Sequence, residues 1–277
     1  QTIPKAGLFL KTIHDRSKER FRFIVTGSYS LELAKSAEFL TGRKMEFVMR
    51  PFSFREFVRA RDAEVPDRLL DPTDEDALRD HAALYGARLK SLLAEYLRFG
   101  GYPEPVLSAG DLRLGLLKEL LSTYIRKDVA GFQHVENIAG FNNLVRVLCA
   151  QIGSQVNRSE LSATLRLNQE TVTRYLDILE GTFVLKLVPP WFTNPRKEVS
   201  KMPKIFIADP GFALALGLGN SEPRPYEMLD GHRVENAVWS TLSAFFGQES
   251  VRYWRTSSGA EIDFIAEADG ALLPVEV

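Results

Sequence analysis

Apolar and polar positions recur with two different periods along this chain, and the changes of period divide it. Residues 6–17 carry a helical pattern. Residues 21–25, Phe-Arg-Phe-Ile-Val, read as a short β-prone run that ends in the polar turn Thr26-Gly27-Ser28-Tyr29-Ser30, with a helix from Leu31. Residues 44–48 read as a further strand; Pro51 breaks that run, and a helix can begin at Ser53. The acidic, proline-bearing residues 64–80 predict a linker, after which the pattern is helical as far as about Gly181, with Gly100-Gly101-Tyr102-Pro103 as a turn between helices. Inside that region residues 159–165 and 169–180, joined by Arg166-Leu167-Asn168, form a helix-turn-helix pattern whose buried stripe is Val172, Leu176 and Leu179. Residues 182–188 are β-prone, residues 234–246 helical, and residues 261–265 and 274–277 alternate as strands.

Composition narrows the class. With 45% hydrophobic and 26% charged residues in 277, the chain has ordinary globular usage and material for two or three modest cores. The longest apolar stretches, residues 183–191 among them, are broken by Lys or Pro well short of a membrane span, and no signal peptide opens the chain, so it reads as soluble and cytoplasmic with no membrane partner. Thirty-five basic residues nearly balance thirty-six acidic ones, which leaves no overall positive field for nucleic acid; any DNA contact has to be local. Cys149 is the single cysteine and sits in an apolar helical run, as a buried reduced thiol would. The chain opens at Gln1 without methionine and closes inside the alternating run 272–277. Either it is processed, or essential parts lie outside both ends; the second reading predicts exposed sheet edges in the isolated chain.

Three groups of polar residues carry candidate chemistry. On the second helix of the helix-turn-helix, Glu170, Asp177 and Glu180 outnumber Arg174, which favours a protein-interaction or spacer module over DNA reading. Residues 194–204 form the one clearly basic stretch, either a contact to a nucleic-acid backbone or a solvated hairpin tip. Glu235 on a helix, with Asp263 and Glu276 on strands, are the C-terminal carboxylates; the last two also fit the polar face of a half-buried hairpin. Asp209, in Asp209-Pro210-Gly211, is explained by a strand-end turn.

The stretch from Phe23 to Ser30, then Leu40-Thr41-Gly42-Arg43, then Pro51-Phe52-Ser53-Phe54-Arg55-Glu56-Phe57, resembles the prokaryotic AAA-like P-loop ATPases that carry a C-terminal domain of unknown function. The resemblance continues at Gly100 to Glu104, at Tyr124 to Asp128, at Thr171 to Leu176 and at Trp254 to Phe264, and so covers nearly the whole chain in order. It implies ATP and magnesium as cofactors of the intact protein, held by a phosphate loop and an acidic strand upstream of the part that matches Gln1. No G-x-x-x-x-G-K followed by Ser or Thr occurs here, so the chain alone is expected not to hydrolyse ATP. The resemblance carries over Ser28 as a sensor-like residue at a strand end, and Arg43 as a cation facing a neighbouring subunit's nucleotide. Helix capping accounts for Ser28 equally well, and a solvated helix C-terminus for Arg43.

The C-terminal order resembles the PD-(D/E)xK nuclease-like core, which implies magnesium held by Asp263 and Glu276 with Glu235, and a lysine two residues after Glu276 that would be residue 278. The expected architecture is therefore α/β with a mainly helical middle: a partial P-loop subdomain over 1–62, a helical region with a winged-helix-like module over 63–190, and a restriction-endonuclease-like α/β end over 191–277. The intact protein is expected to be an ATPase switch or remodeller with a protein partner or self-association; the alternatives are a metal-dependent DNA nuclease controlled by the ATPase and a DNA-binding or other non-catalytic module.

Overall fold

The computed structural model describes residues 6–17, 21, 23–26, 45, 47–66, 75–192, 201–216, 231–256 and 258–277. They form a mostly helical protein with two small antiparallel sheets. Helix α1 (Ala6–Ser17) follows the helical pattern at the start of the chain. The β-prone run after it does not become a strand: the described residues 21 and 23–26 are in no regular element, and neither are 45, 47 and 48. Ile24 is 93% exposed and Met49 94%. Strand propensity is expressed only where a neighbouring strand takes the backbone hydrogen bonds and a core covers one face, and no such neighbour stands beside these residues among those described.

Regular structure resumes at α2 (Phe54–Arg61). Ser53 caps it, accepting a hydrogen bond from the Glu56 amide at 3.3 Å while the Glu56 carboxylate takes the Ser53 amide at 2.8 Å. Phe57 and Val58 on α2 pack against Leu92, Tyr96 and Leu97 of the long helix α3 (Glu75–Phe99), and against Val106 of the short α4 (Pro103–Leu107). Because α3 begins at Glu75, the linker is shorter than the 64–80 that composition suggests. Next come α5 (Arg113–Tyr124) and a π-helical stretch, Ile125–Phe132.

The largest core belongs to α6 (Ile138–Ala150), α7 (Arg158–Leu165) and α8 (Gln169–Gly181), with Leu144, Leu148, Leu161, Val172, Leu176 and Leu179 inside it. Helices α7 and α8 are the helix-turn-helix read from the sequence: Arg166 closes α7 in the left-handed region, and Asn168 caps α8 by accepting from the Thr171 amide at 2.6 Å. Cys149 is buried in this core, and burial pushes its thiol up to about 12, which keeps it protonated and inert.

Two strands follow the helix-turn-helix. β1 (Leu185–Val188) pairs antiparallel with β2 (Lys204–Ile207), running from Leu185 opposite Ile207 to Val188 opposite Lys204, so the sheet spans both sides of residue 190. Every residue of β2 is buried. By strand alternation Ile205 and Ile207 enter the helical core, while Lys204 and Phe206 face the other way. After the short α9 (Gly211–Ala215), helix α10 (Gly231–Phe246) lies over the meander β3 (Val251–Arg255), β4 (Glu261–Ala268) and β5 (Ala271–Val275). Phe206 stacks on Trp239 of α10 with ring centroids 5.5 Å apart and meets Phe264 of β4 at 5.3 Å, in a third core with Val188, Val251 and Tyr253. β5 is an edge strand with Leu272 and Leu273 both exposed. It stops at Val275, so Glu276 lies just past a strand that the alternation of the sequence carries to residue 277.

Ser53→Ala removes the acceptor that caps α2. It is expected to lower stability by about 1 kcal/mol, measured as a lower urea midpoint at unchanged slope; an unchanged midpoint would mean that the reciprocal cap carries no weight.

Candidate functional site: a lysine enclosed by carboxylates

A basic residue in a strand that is buried on both faces has to find its counter-charges inside the protein. Lys204, 4% exposed, does so at the seam between β2, α10 and β4. Its Nζ lies 2.8 Å from Glu235 Oε1 on α10, 2.5 Å from Glu261 Oε1 on β4, and 3.9 Å from Asp263 Oδ1 one alternation further along β4. The Tyr253 ring stands below it with its centroid at 5.5 Å. Burial pulls the lysine's proton affinity down, but hydrogen bonds to Glu235 and Glu261 and their charges outweigh it, so its pKa is raised and the ammonium persists.

The outer oxygens of the same carboxylates are also engaged. Glu235 Oε2 faces His232 Nδ1 at 3.5 Å, Arg255 Nη1 reaches Glu261 Oε2 at 3.1 Å, and the Val277 amide donates to Asp263 Oδ2 at 3.0 Å. Tyr253 is held by its hydroxyl, which donates to the Met202 carbonyl at 2.6 Å and accepts from Gln155 Nε2 at 2.8 Å. Gly153 passes so close to Glu235 that a Cβ there would come within 2.6 Å of Oε2.

The structure thus brings Glu235 and Asp263 together around a cation that the protein supplies. Glu276, exposed past the end of β5, does not join them. Among the described residues no group of three His, Cys, Asp or Glu side chains is disposed to hold a metal ion. Ser28 and Arg43 lie outside the described residues. Lys204 closes the basic stretch 194–204, yet it is neither a solvated hairpin tip nor a contact for nucleic acid: it is buried and paired. Two signals in the sequence pointed here, a lysine heading the apolar run Ile205-Phe206-Ile207 and the Glu-x-Asp spacing of residues 261 and 263, which places both carboxylates on one face of a strand.

A second buried ionisable group sits at a junction of three segments. Asp209 is fully buried and accepts the Gly101 amide on Oδ2 and the Gly211 amide on Oδ1, both at 2.7 Å. Gly101 is bound in turn to the segment before α2, since the Phe52 amide donates to the Gly101 carbonyl at 2.7 Å; the Tyr96 hydroxyl donates to the Phe52 carbonyl at 3.1 Å. The packing leaves no room for side chains at the turns: a Cβ on Gly101 would lie 2.2 Å from the Phe52 carbonyl oxygen, and one on Gly211 2.4 Å from that of Phe99. The strand-end turn expected of Asp209 is present, and the same carboxylate also clasps a turn far upstream. Burial pushes its pKa up from 3.8 to about 7, against the opposing hydrogen bonds of the Gly101, Gly211 and Tyr102 amides.

The outer face of the helix-turn-helix is a shallow groove of about 550 Å³ lined by Arg158, Gln169, Glu170, Thr173, Arg174 and Asp177. Arg174 is tied down, donating to the Gln133 carbonyl at 2.7 Å. Glu180 does not belong to this face; it turns inward to accept the Leu187 amide at 3.0 Å, and burial raises its pKa. The face therefore sets two arginines against two acids, a less acidic balance than the sequence suggests.

Comparison with known proteins finds three family models that match successive parts of the chain. Residues 1–58 match an AAA domain, residues 90–224 a domain of unknown function (DUF8612), and residues 230–277 a second domain of unknown function (DUF4143). An uncharacterized protein of Haemophilus influenzae is 26% identical over 92% of this chain and 58% of its own length. The uncharacterized protein Rv2008c of Mycobacterium tuberculosis is 25% identical over 98% of this chain and 55% of its own, and the uncharacterized protein MJ1544 of Methanocaldococcus jannaschii 22% identical over 96% and 56%. The chain thus spans little more than half the length of these relatives. No solved structure matches it. Among the described residues no helix is long and apolar enough to cross a membrane.

Asp209→Asn places an NH2 group against one of two backbone donors and is expected to lower stability by about 2 kcal/mol at pH 5. The folded-state pKa of Asp209 is raised, so its contribution is complete below about 4 and declines as pH climbs to about 7. Denaturation series of both proteins from pH 4 to pH 8 should show the gap between them narrowing as pH rises; a gap that stays constant over this range would show that the carboxylate is ionised in the fold throughout.

Proposed function

We propose that the intact protein is a nucleotide-driven switch or remodeller, in which an AAA-type ATPase part changes state and the helical and C-terminal parts read a partner. The observation that carries this reading is the junction at Phe52, Gly101 and Asp209. It joins the end of the AAA-matched segment to the turn between α3 and α4, and through a buried carboxylate to the start of α9. A rigid joint of backbone hydrogen bonds and crowded glycines passes a displacement on where a flexible linker would absorb it.

The proposal retains three parts, 1–62, 63–190 and 191–277, the last two sharing the β1–β2 sheet; β1 and β2 behind the helix-turn-helix would make the middle part a winged-helix-like module. It retains Ser28 as a sensor-like residue and Arg43 as a cation directed at a neighbouring subunit's nucleotide. The residues of this chain do not by themselves fit ATP, because its sequence contains no G-x-x-x-x-G-K followed by Ser or Thr, the pattern of a loop that holds the phosphates. We assign partner reading to the α8 groove, and to a protein rather than DNA, since Arg174 is held by a backbone carbonyl and the groove mixes both signs of charge. The competing reading, a magnesium-dependent DNA nuclease built on Glu235, Asp263 and Glu276, requires a metal where Lys204 stands.

The test is calorimetric titration of magnesium-ATP into this chain, and into a form extended at both ends to the length of the relatives. Binding and hydrolysis are expected in the extended form only. ATP binding by the 277-residue chain itself, or none by the extended form, would overturn the reading.

A further inference from the structure

We infer that Lys204 is the permanent cation of the Glu235, Glu261 and Asp263 cluster, and that the C-terminal part holds its shape with this lysine in place of the divalent metal its nuclease-like order implies. The inference is independent of the ATPase reading; it rests on which atoms the carboxylates already face.

A magnesium ion needs about six oxygens at 2.0–2.1 Å in a near-octahedral shell. Here the inner oxygens of Glu235 and Glu261 converge on Lys204 Nζ at 2.8 and 2.5 Å. A metal drawn to those oxygens would stand beside the ammonium, where the two positive charges repel. The outer oxygens face other groups: the His232 ring on Glu235, Arg255 on Glu261, and the Val277 amide on Asp263. Glu276, the third expected ligand, is exposed and outside the cluster.

Nor is the lysine free to swing away. Its backbone belongs to a strand buried on both faces and paired to β1, and its ammonium lies over the ring of Tyr253, which is itself fixed by Gln155 and Met202. An ammonium among three carboxylates does part of what a metal would do for the fold: it offsets the charge of acids from α10 and β4 that would otherwise repel one another, and it does so from β2. It does not supply a metal's ability to activate water.

The test uses manganese as the divalent probe. Titrated to millimolar concentration into the isotope-labelled wild-type chain, it should produce no selective paramagnetic broadening of the amide signals of Gly153, Ile262 and Val277, which lie against the cluster. Selective broadening there, reversed by excess magnesium, would overturn the inference. In Lys204→Met the carboxylates lose their cation, so the variant should melt well below wild type without metal and regain several degrees with manganese, while the wild-type melting temperature stays unmoved. A variant that melts with wild type would show that the lysine is not the cation the cluster depends on; a wild-type melting temperature that rises equally with manganese would restore the metal site.

Discussion

A strand with no solvent face has nowhere to put a charge except against other charges, and much of the C-terminal half follows from that constraint on β2. Ile205 and Ile207 commit one face to the helical core; Phe206 commits the other to Trp239 and Phe264. Lys204 therefore goes inward, where stripping its water costs several kcal/mol. Only nearby carboxylates offset that cost, and they come from α10 and β4. The lysine thus fixes where the helix and the meander sit against β2 more sharply than apolar contact alone would, because ion pairs at hydrogen-bonding distance tolerate little displacement.

Asp209 meets the same constraint with a different kind of partner, burial favouring its neutral form. Its neighbours are backbone amides, which cannot move without moving the turns that carry them. Where Lys204 locks side chain to side chain across a sheet, Asp209 locks main chain to main chain across a joint. In both places the loss of one partner costs more than the pair itself contributes, because what remains is a buried polar group without its complement.

Local features were legible in the sequence. The stripe of Val172, Leu176 and Leu179 gave a helix with the correct buried face, Pro51 and Ser53 gave the start of a helix, and Gly100 to Pro103 gave a turn between helices. Features that depend on distant partners were not. Residues 21–25 have the composition of a strand, but composition does not say whether a neighbour will be there to pair. Lys204 looked like the end of a basic run because Glu235 and Glu261, which bury it, lie far along the chain. Asp209 looked like a turn residue because Gly101, its second partner, is 108 positions upstream. Glu180 reads as part of the outer face of α8, but β1, which follows it, draws it inward to the Leu187 amide.

The order of the cluster along the chain also bears on how the protein is made. Synthesis delivers Lys204 before any of its three acids, and Glu235 is 31 residues behind it. The helical core with β1, β2 and α9 can close once Ala213 has left the ribosome, at which moment the lysine still faces water together with the apolar side of Phe206. A nascent chain at this stage carries a half-finished surface, greasy and positively charged, until α10 and then β4 arrive to cover and neutralise it. Any pause in translation within that interval would prolong the exposure.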